Sequence, residues 1–454
     1  MKRDAAAIAA TGVVLAGCAE ILHRTASHLP EKASPVVPGP ESRLASRLGF
    51  GPAPGQIDEI KKLGIDAYIE QQLKGDQPEP MMLTAQIQRL EVMQCDPIDL
   101  LDIPDPEAIR QLNQVAMLRA IYSKNQLKER MVDFWTNHFN ISAKKAFGAF
   151  YLVGDQKSVI RQHALGSFPK MLTASAHSPA MLEYLDNQVN QKGKANENYA
   201  REIMELHTLG VGSGYTQTDV HEVARCFTGW SVEKRAFKKR GQFVFLRELH
   251  DEEPKTVLGH KLAAGLGKGD GDWVVQTLAT HPWTAAHLAR KLAVYFLGAR
   301  HEPLEKEMSA EFLKSDGNIA AMLRPMLFSP LFLDGQGAAQ RPLDYVISTL
   351  RLTGAVTNCN KHLQNHLANM GQPLYEWPMP DGYPNGADHW QGSLLARWNY
   401  AYLLANGGIS GTRIPVSDLE KCYDAQDTEL IRRATGIAES NLALALAAPE
   451  MNWR

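Results

Sequence analysis

The chain has 454 residues, with 48 Lys and Arg against 50 Asp and Glu and a net charge of −2 with histidine neutral. That balance excludes a nucleic-acid binder of the electrostatic kind, which needs a basic surplus to displace counterions. The five cysteines, Cys18, Cys95, Cys226, Cys359 and Cys422, are widely spaced without a CxxC pair, so they build no zinc framework. The four beyond Cys18 permit disulfides in an oxidising compartment, but spacing gives no pairing, and Cys226 falls in an apolar helical stripe that suits a buried thiol.

Lys2 and Arg3 precede an uncharged, Ala- and Val-rich stretch from Ala5 to Gly17, the order of a secretory signal and too short for a membrane span. Leu15-Ala16-Gly17-Cys18 resembles the bacterial lipobox, whose cysteine is acylated and becomes the mature N-terminus. Cys18 is therefore the expected lipid anchor, and an ordinary secreted protein is the alternative, since Asp4 is out of place in a basic leader. Ala19 after the cysteine, by resemblance to lipoproteins of Gram-negative bacteria, implies the outer membrane. From Ala19 to about Glu41 the chain carries Pro30, Pro35, Pro38 and Pro40 and reads as an extended tether. No other segment is long and apolar enough to span a membrane.

The remaining chain contains no second low-complexity linker, so one large helical domain is expected from residue 42 to 454. Apolar spacing of three and four recurs along Val115 to Ile121, Met131 to Phe139, Tyr199 to Leu209, Val220 to Phe227, Leu288 to Phe296 and Leu343 to Leu350. The fold class is mainly α with one small β-hairpin, whose strand signal is Gln242-Phe243-Val244-Phe245-Leu246 before the turn-rich Asp251 to Gly259.

FWTNHFN puts Trp135, Asn137, His138 and Asn140 at one helix end, where a core tryptophan with a satisfied histidine is the simpler reading. The densest polar block runs from Asn196 to Trp230. In its first helix Tyr199, Ile203 and Leu206 face the core, while Asn198, Glu202, Glu205 and Leu209 share another face. Arg201 stands four residues from Glu197 and four from Glu205 and can pair with either, which on an ordinary helix makes a solvated face. Gly210, Gly212, Gly214 and a second charged helix come next, an arrangement that suits a re-entrant polar site.

At 100° per residue His207, five after Glu202 and two after Glu205, points away from both carboxylates, so no Glu-x-x-His pair forms. His221-Glu222-Val223-Ala224-Arg225 begins like a zinc-protease helix but has Arg225 where the second histidine must stand. A metal would need ligands from different helices, and the sequence specifies no cofactor. Thr216 with Asp219 forms a weaker version of a capping box for the second helix, which ends at Thr228-Gly229-Trp230.

His250-Asp251 is either an oriented imidazole or a turn. Gly265 to Gly269 is no phosphate loop, because Leu262 stands where the first glycine belongs. In the loop GQPLYEWPMPDGYPNGADHW and just after it, Tyr375, Trp377, Tyr383, Trp390 and Trp398 cluster with Arg397 nearby. They either cover the helical core or present ring faces on which a sugar stacks.

The strings LGFGPAPGQ, DFWTNHF, HALGSFPKML, SPAMLEYLDN, NENYAREIMELHTLGVGSGYTQTDVHEVARCFTGW, HDEEPKTVLG, HPWTAAHLARKLAVYFL and MGQPLYEWPMPDGYP with LLARWN resemble, in this order, the bacterial family known as domain of unknown function 1800. The likeness runs from about Arg43 to Glu450. It implies an exported or envelope protein, largely helical, and no stated reaction. It also implies a partner, because genes of that family often lie beside those of an exported family whose fold looks like that of alkaline phosphatases and sulfatases. Asn196, Glu197, Asn198, Arg201, Glu202, Glu205 and His207 are its densest polar block.

Two functions fit these features. In the first, an envelope enzyme gathers Glu202, Glu205, Arg201, Asn198 and His207 with His138 or His250, two carboxylates acting as acid and base, and Trp377, Tyr383, Trp390 and Arg397 bind an envelope glycan or similar polymer. In the second, a non-catalytic binding or assembly lipoprotein uses the same block as a buried network and docks a partner on the aromatic loop.

Overall fold

Apolar residues three and four apart become helix along most of the chain, and the computed structural model describes residues 39–94, 99–145, 148–235, 241–335, 337–415 and 442–453. Cys18, nearly all of the tether, Cys95 and Cys422 lie outside the described residues. The principal elements are α1 (Pro40–Leu48), α2 (Asp105–Tyr122), α3 (Gln126–His138), α4 (Pro179–Tyr184), α5 (Glu197–Glu202), α6 (Gln217–Cys226), β1 (Trp230–Val232), β2 (Phe243–Phe245), β3 (Lys255–Val257) and β4 (His260–Leu262). They continue as α7 (Lys268–Ala279), α8 (Pro282–Leu297), α9 (Glu302–Lys314), α10 (Pro342–Leu352), β5 (Val356–Thr357), α11 (Lys361–Asn369), α12 (Leu394–Ala405) and β6 (Thr412–Arg413). The protein is mainly α. Pro40 opens a helix rather than closing a tether, since its missing N–H costs nothing at a first helical position. No described helix is long and apolar enough to cross a membrane.

The strands form small antiparallel pairs, more of them than the one hairpin expected. The Gln242–Leu246 signal is realised as β2, which pairs with β1, Trp230 opposite Phe245. β3 and β4 make a second hairpin, turned at Leu258 and Gly259, both at positive φ. Leucine is an unusual first residue for such a turn, which hides this hairpin from a search for Asn-Gly or Asp-Gly. The capping box of α6 is present in both directions, with Asp219 N donating to Thr216 Oγ1 at 3.1 Å and Thr216 N to Asp219 Oδ2 at 2.8 Å.

A contiguous apolar core extends from Leu44 in α1 to Leu446 near the C-terminus. Helix α8 runs through it, with Leu288, Leu292 and Phe296 fully buried on one side. At its centre lies an ionic knot. Arg130 of α3 pairs with Asp344 of α10, Arg341 pairs with Asp133 and, at 3.3 Å, with Asp344, and the Tyr295 hydroxyl donates to Asp133 Oδ2 at 2.6 Å. This knot fixes three helices against one another, and α3 and α8 carry the polar centre at their other faces.

Candidate functional site

The polar centre is assembled from the C-terminal end of α3, the α5 segment, the middle of α8 and the loop after α11. Its first determinant is local: α5 does not continue as an α-helix. Ile203–His207 winds as a π turn, closed by Thr208 Oγ1 donating to Ile203 O at 2.6 Å and Gly210 N donating to Met204 O at 3.2 Å. One extra residue in the turn rotates the next residues by about 100° relative to α-helical continuation. His207, which α geometry sends away from Glu202, is thereby turned inward and buried.

His207 meets two other imidazoles. Its ring lies 6.0 Å from that of His138, which is 6.3 Å from that of His287. His138 Nε2 donates to the His207 carbonyl at 3.1 Å, and His287 Nε2 to the Leu206 carbonyl at 3.2 Å, while Arg290 Nη2 donates to His287 Nδ1 at 3.0 Å. Burial, then Lys291, holds all three rings neutral: His207 and His287 fall to about 3, and His138 well below its usual value. His138 Nδ1 and His207 Nε2 remain buried without a hydrogen-bond partner. Among the described residues no three His, Cys, Asp or Glu side chains are placed to hold a metal ion, and both nitrogens of His287 are already engaged.

Lys291 lies one turn after His287 on α8. No hydrogen bond or ion pair holds its ammonium among the described residues. Burial lowers its pKa to about 8, against a counteracting pull from Asp381. Asp381 belongs to the aromatic loop, where its Oδ1 accepts the Trp377 indole N–H at 2.9 Å. Burial is the chief reason the Tyr184 phenol rises to about 12, with Asp381 adding to it, and Asp381 adds the smallest share to the rise of the Glu202 carboxyl after burial and Glu205. Asp381, itself exposed, thus acts on both Glu202 and Lys291, in each case as a lesser influence than burial.

Glu202 is half-buried, and among the described residues nothing donates a hydrogen bond to its carboxylate. Burial first, then Glu205 and Asp381, raise its pKa, with Arg201 opposing. The loop is pinned over it: Asn140 Nδ2 donates to the carbonyls of Trp377 at 3.1 Å and Met379 at 2.6 Å, and Tyr184 Oη donates to Pro378 O at 2.8 Å. Gly382, at φ 77°, sits so close to α3 that a Cβ there would stand 2.2 Å from Asn137 O. Only glycine permits that approach.

Other residues singled out in the sequence lie elsewhere. Arg201, 38 % exposed, spans Glu197 at 3.4 Å and Glu205 at 3.3 Å and donates to Gln217 at 2.8 Å, a solvated lattice that also reaches His221. Asn198 ties α5 to α4 through the Leu185 carbonyl at 3.1 Å. His250 is in a separate buried knot, its Nε2 3.1 Å from Asp270 Oδ2, its Nδ1 2.8 Å from Thr228 O, and Lys255 Nζ 2.8 Å from the same Asp270 oxygen. It locks α7 to the hairpins and does not join the His138 group. Arg397 is consumed by Ser393, Asn452 and Gln340 O and stacks on Tyr345, so it latches the C-terminal residues instead of facing a ligand. Tyr383 and Trp390 are buried beneath the loop, with Trp390 Nε1 bonded to Pro384 O at 3.0 Å. Of the four residues proposed for ligand contact, Trp377 borders the centre with a partly open ring, 5.0 Å from Tyr383.

Asp381, Lys291, His287 and Tyr184 were not singled out from sequence. His287 and Lys291 have a signal, a four-residue spacing that puts both on one face of α8; Asp381 has none beyond its place in an irregular loop. Because Glu205 sits in the solvated lattice, Glu205→Gln is expected to change stability by no more than about 0.5 kcal/mol in urea unfolding. A loss of several kcal/mol would place that pair inside the fold.

The fold and site define a largely helical protein with a carboxylate, lysine and histidine centre roofed by an aromatic loop. Residues 43–453 match the family described as protein of unknown function DUF1800, and the chain belongs to that family. No curated protein and no solved structure matches the chain.

Proposed function

We propose that this protein is a cell-envelope enzyme, lipid-anchored through Cys18 in the outer membrane and facing the periplasm, that cleaves a glycan or similar polymer at the Glu202–Asp381 centre. The observation that carries this reading is the state of Glu202: a half-buried carboxyl with raised pKa and, among the described residues, no hydrogen-bond donor, within electrostatic reach of a second carboxylate held by Trp377. A side chain kept for stability is expected to be paired. Carboxyls in unequal surroundings divide the work of acid and base. Protonated Glu202 gives its proton to the departing glycosidic oxygen as the bond from that oxygen to the anomeric carbon breaks. Water adds to that carbon and its proton passes to Asp381. The Lys291 ammonium supplies donors for ring hydroxyls, and Trp377 offers a stacking face. An exported protein with an alkaline-phosphatase-like fold is the partner class proposed.

The second reading is a binding or assembly lipoprotein, and the closed His250–Asp270–Lys255 knot favours a structural role for those residues. Purified full-length protein incubated with the envelope polysaccharide of its native strain separates the two. New reducing ends are expected from an enzyme; retention of the polymer without cleavage supports the binding reading.

The anchor has its own test. Cys18→Ala is expected to move the protein from the membrane fraction to the soluble periplasm with its thermal unfolding unchanged. Mass spectrometry of a mature chain that begins elsewhere and carries no lipid would end the lipoprotein assignment.

A further inference from the structure

A cleft of about 500 Å³ opens on the far side of His287, between α8, α9 and the glycine-rich loop after the π turn. It lies within the size range of small-ligand sites. Its lining combines one aromatic ring with two cations, Arg290 and Lys306, that have no carboxylate partner among the described residues. Trp283 is 41 % exposed there, and its ring packs so tightly on Gly214, at φ 78°, that a Cβ on that glycine would meet it at 2.6 Å. The loop at Gly214 and the His281 ring, 4.9 Å from the indole, therefore fix Trp283, which keeps part of its surface exposed in the lining of the cleft.

The charges are unequal. Arg290, Arg300 and Lys306 stand against Glu302 and Glu305 in the lining. Both carboxylates are taken: Arg300 lies 3.0 Å from Glu305 and 3.9 Å from Glu302, and Glu305 also accepts the His301 N–H at 2.9 Å. Arg290 and Lys306 have no carboxylate within ion-pair distance among the described residues. The hydrogen bond of Arg290 goes to His287 Nδ1, a neutral acceptor, so no counter-charge takes up the guanidinium and most of its donors are left. Planar guanidinium donors match the paired oxygens of a carboxylate, sulfate or phosphate. Exposed indole faces suit pyranose rings.

We infer that this cleft binds an anionic sugar unit, its ring on Trp283 and its acid group on Arg290 and Lys306. The inference rests on the polymer-cleaving reading and sharpens it: His287 is the shared wall between the cleft and the buried histidines beside Lys291, so the cleft is a subsite for an acidic unit of the same polymer. The shared chemistry is an oxyanion on a pyranose, which a uronic acid, a sugar sulfate or a sugar phosphate supplies.

Calorimetric titration of the full-length Glu202→Gln protein, which isolates binding from turnover, tests this with tri-galacturonate, glucose 6-sulfate, glucose 6-phosphate and neutral maltotriose. At least one anionic sugar is expected to bind, more weakly as salt rises, and the acid group of the best one names the source. Arg290→Gln should weaken that binding about tenfold or more, with Arg290→Lys intermediate and Trp283→Ala also weakened. Thermal midpoints equal to that of the parent show that the variants are folded. Equal binding of maltotriose, unchanged affinity in Arg290→Gln, or no heat from any anionic sugar at about 10 mM overturns the inference. Binding of these sugars by a protein that cleaves no polymer keeps the subsite and removes the enzyme; cleavage without such binding does the reverse.

Discussion

Asp344→Asn is expected to be among the most damaging single-atom changes in the molecule, costing about 3–5 kcal/mol of unfolding free energy. Asp344 lies between Arg130 and Arg341, all three essentially without solvent contact. An amide cannot balance two buried guanidinium groups: Arg341 keeps Asp133, but Arg130 is left with no carboxylate among the described residues, so its desolvation cost stays while the attraction that offset it is lost. The wild-type interaction has a defined pH signature. Burial favours the neutral acid, but Arg130 and Arg341 together overcome it and hold the carboxyl down at about 2. With the folded value below the unfolded one, near 3.9, the contribution is complete above pH 4 and is lost as pH falls from about 4 to 2. Urea unfolding of both proteins at pH 7 and pH 3 reads this directly. The gap between them should narrow at the lower pH, and a gap that stays constant would show that Asp344 is not the charged hinge of the knot.

Lys291→Met is expected to do the opposite to the fold and the worst to function. The lysine is lowered from 10.5 to about 8 chiefly by burial, so its charge opposes folding at neutral pH. Methionine fills a similar volume with no charge to desolvate and should raise stability at pH 7 by roughly 1–3 kcal/mol, the upper figure ignoring solvent screening. Polymer cleavage should fall at least about 100-fold. The sign is checkable. Between pH 8 and 10.5 the unfolded chain holds the lysine proton more tightly than the folded one, so wild-type stability rises across that window. The stability advantage of the methionine variant should therefore shrink as pH rises. A variant less stable than wild type at pH 7 would mean that Lys291 is a structural cation.

Much of the architecture was legible because it depends on local pattern. The three-and-four spacing located α3, α8 and α10, and the strand signal at Gln242–Leu246 located β2. The pairing of β2 with Trp230–Val232 was not, since those residues read as a helix end. The site was half legible. Glu202, His207 and His138 were singled out by residue type and crowding, with His207 pointing away from the carboxylates; its burial beside His138 was not legible, because a π turn leaves no mark in apolar spacing. Arg201 and Glu205 drew attention through their charge, and charge density does not distinguish a solvated lattice from a centre. Asp381 and Lys291 lie far from α5 in sequence, and only the packing of α8 and the loop brings their charges to bear on it. Arg397 and His250 carried the same ambiguity: a buried cation or imidazole in a polar motif is as often a latch as a ligand.

The measurement that bears most directly on the Glu202–Asp381 centre is the rate at which Glu202→Gln releases reducing ends from envelope polysaccharide, set beside its thermal midpoint. Catalysis by this carboxyl predicts a rate at least about 100-fold below wild type with a midpoint equal to or above it, since the amide removes a half-buried acid that nothing among the described residues pairs. A folded variant that cleaves the polymer at the wild-type rate would contradict it.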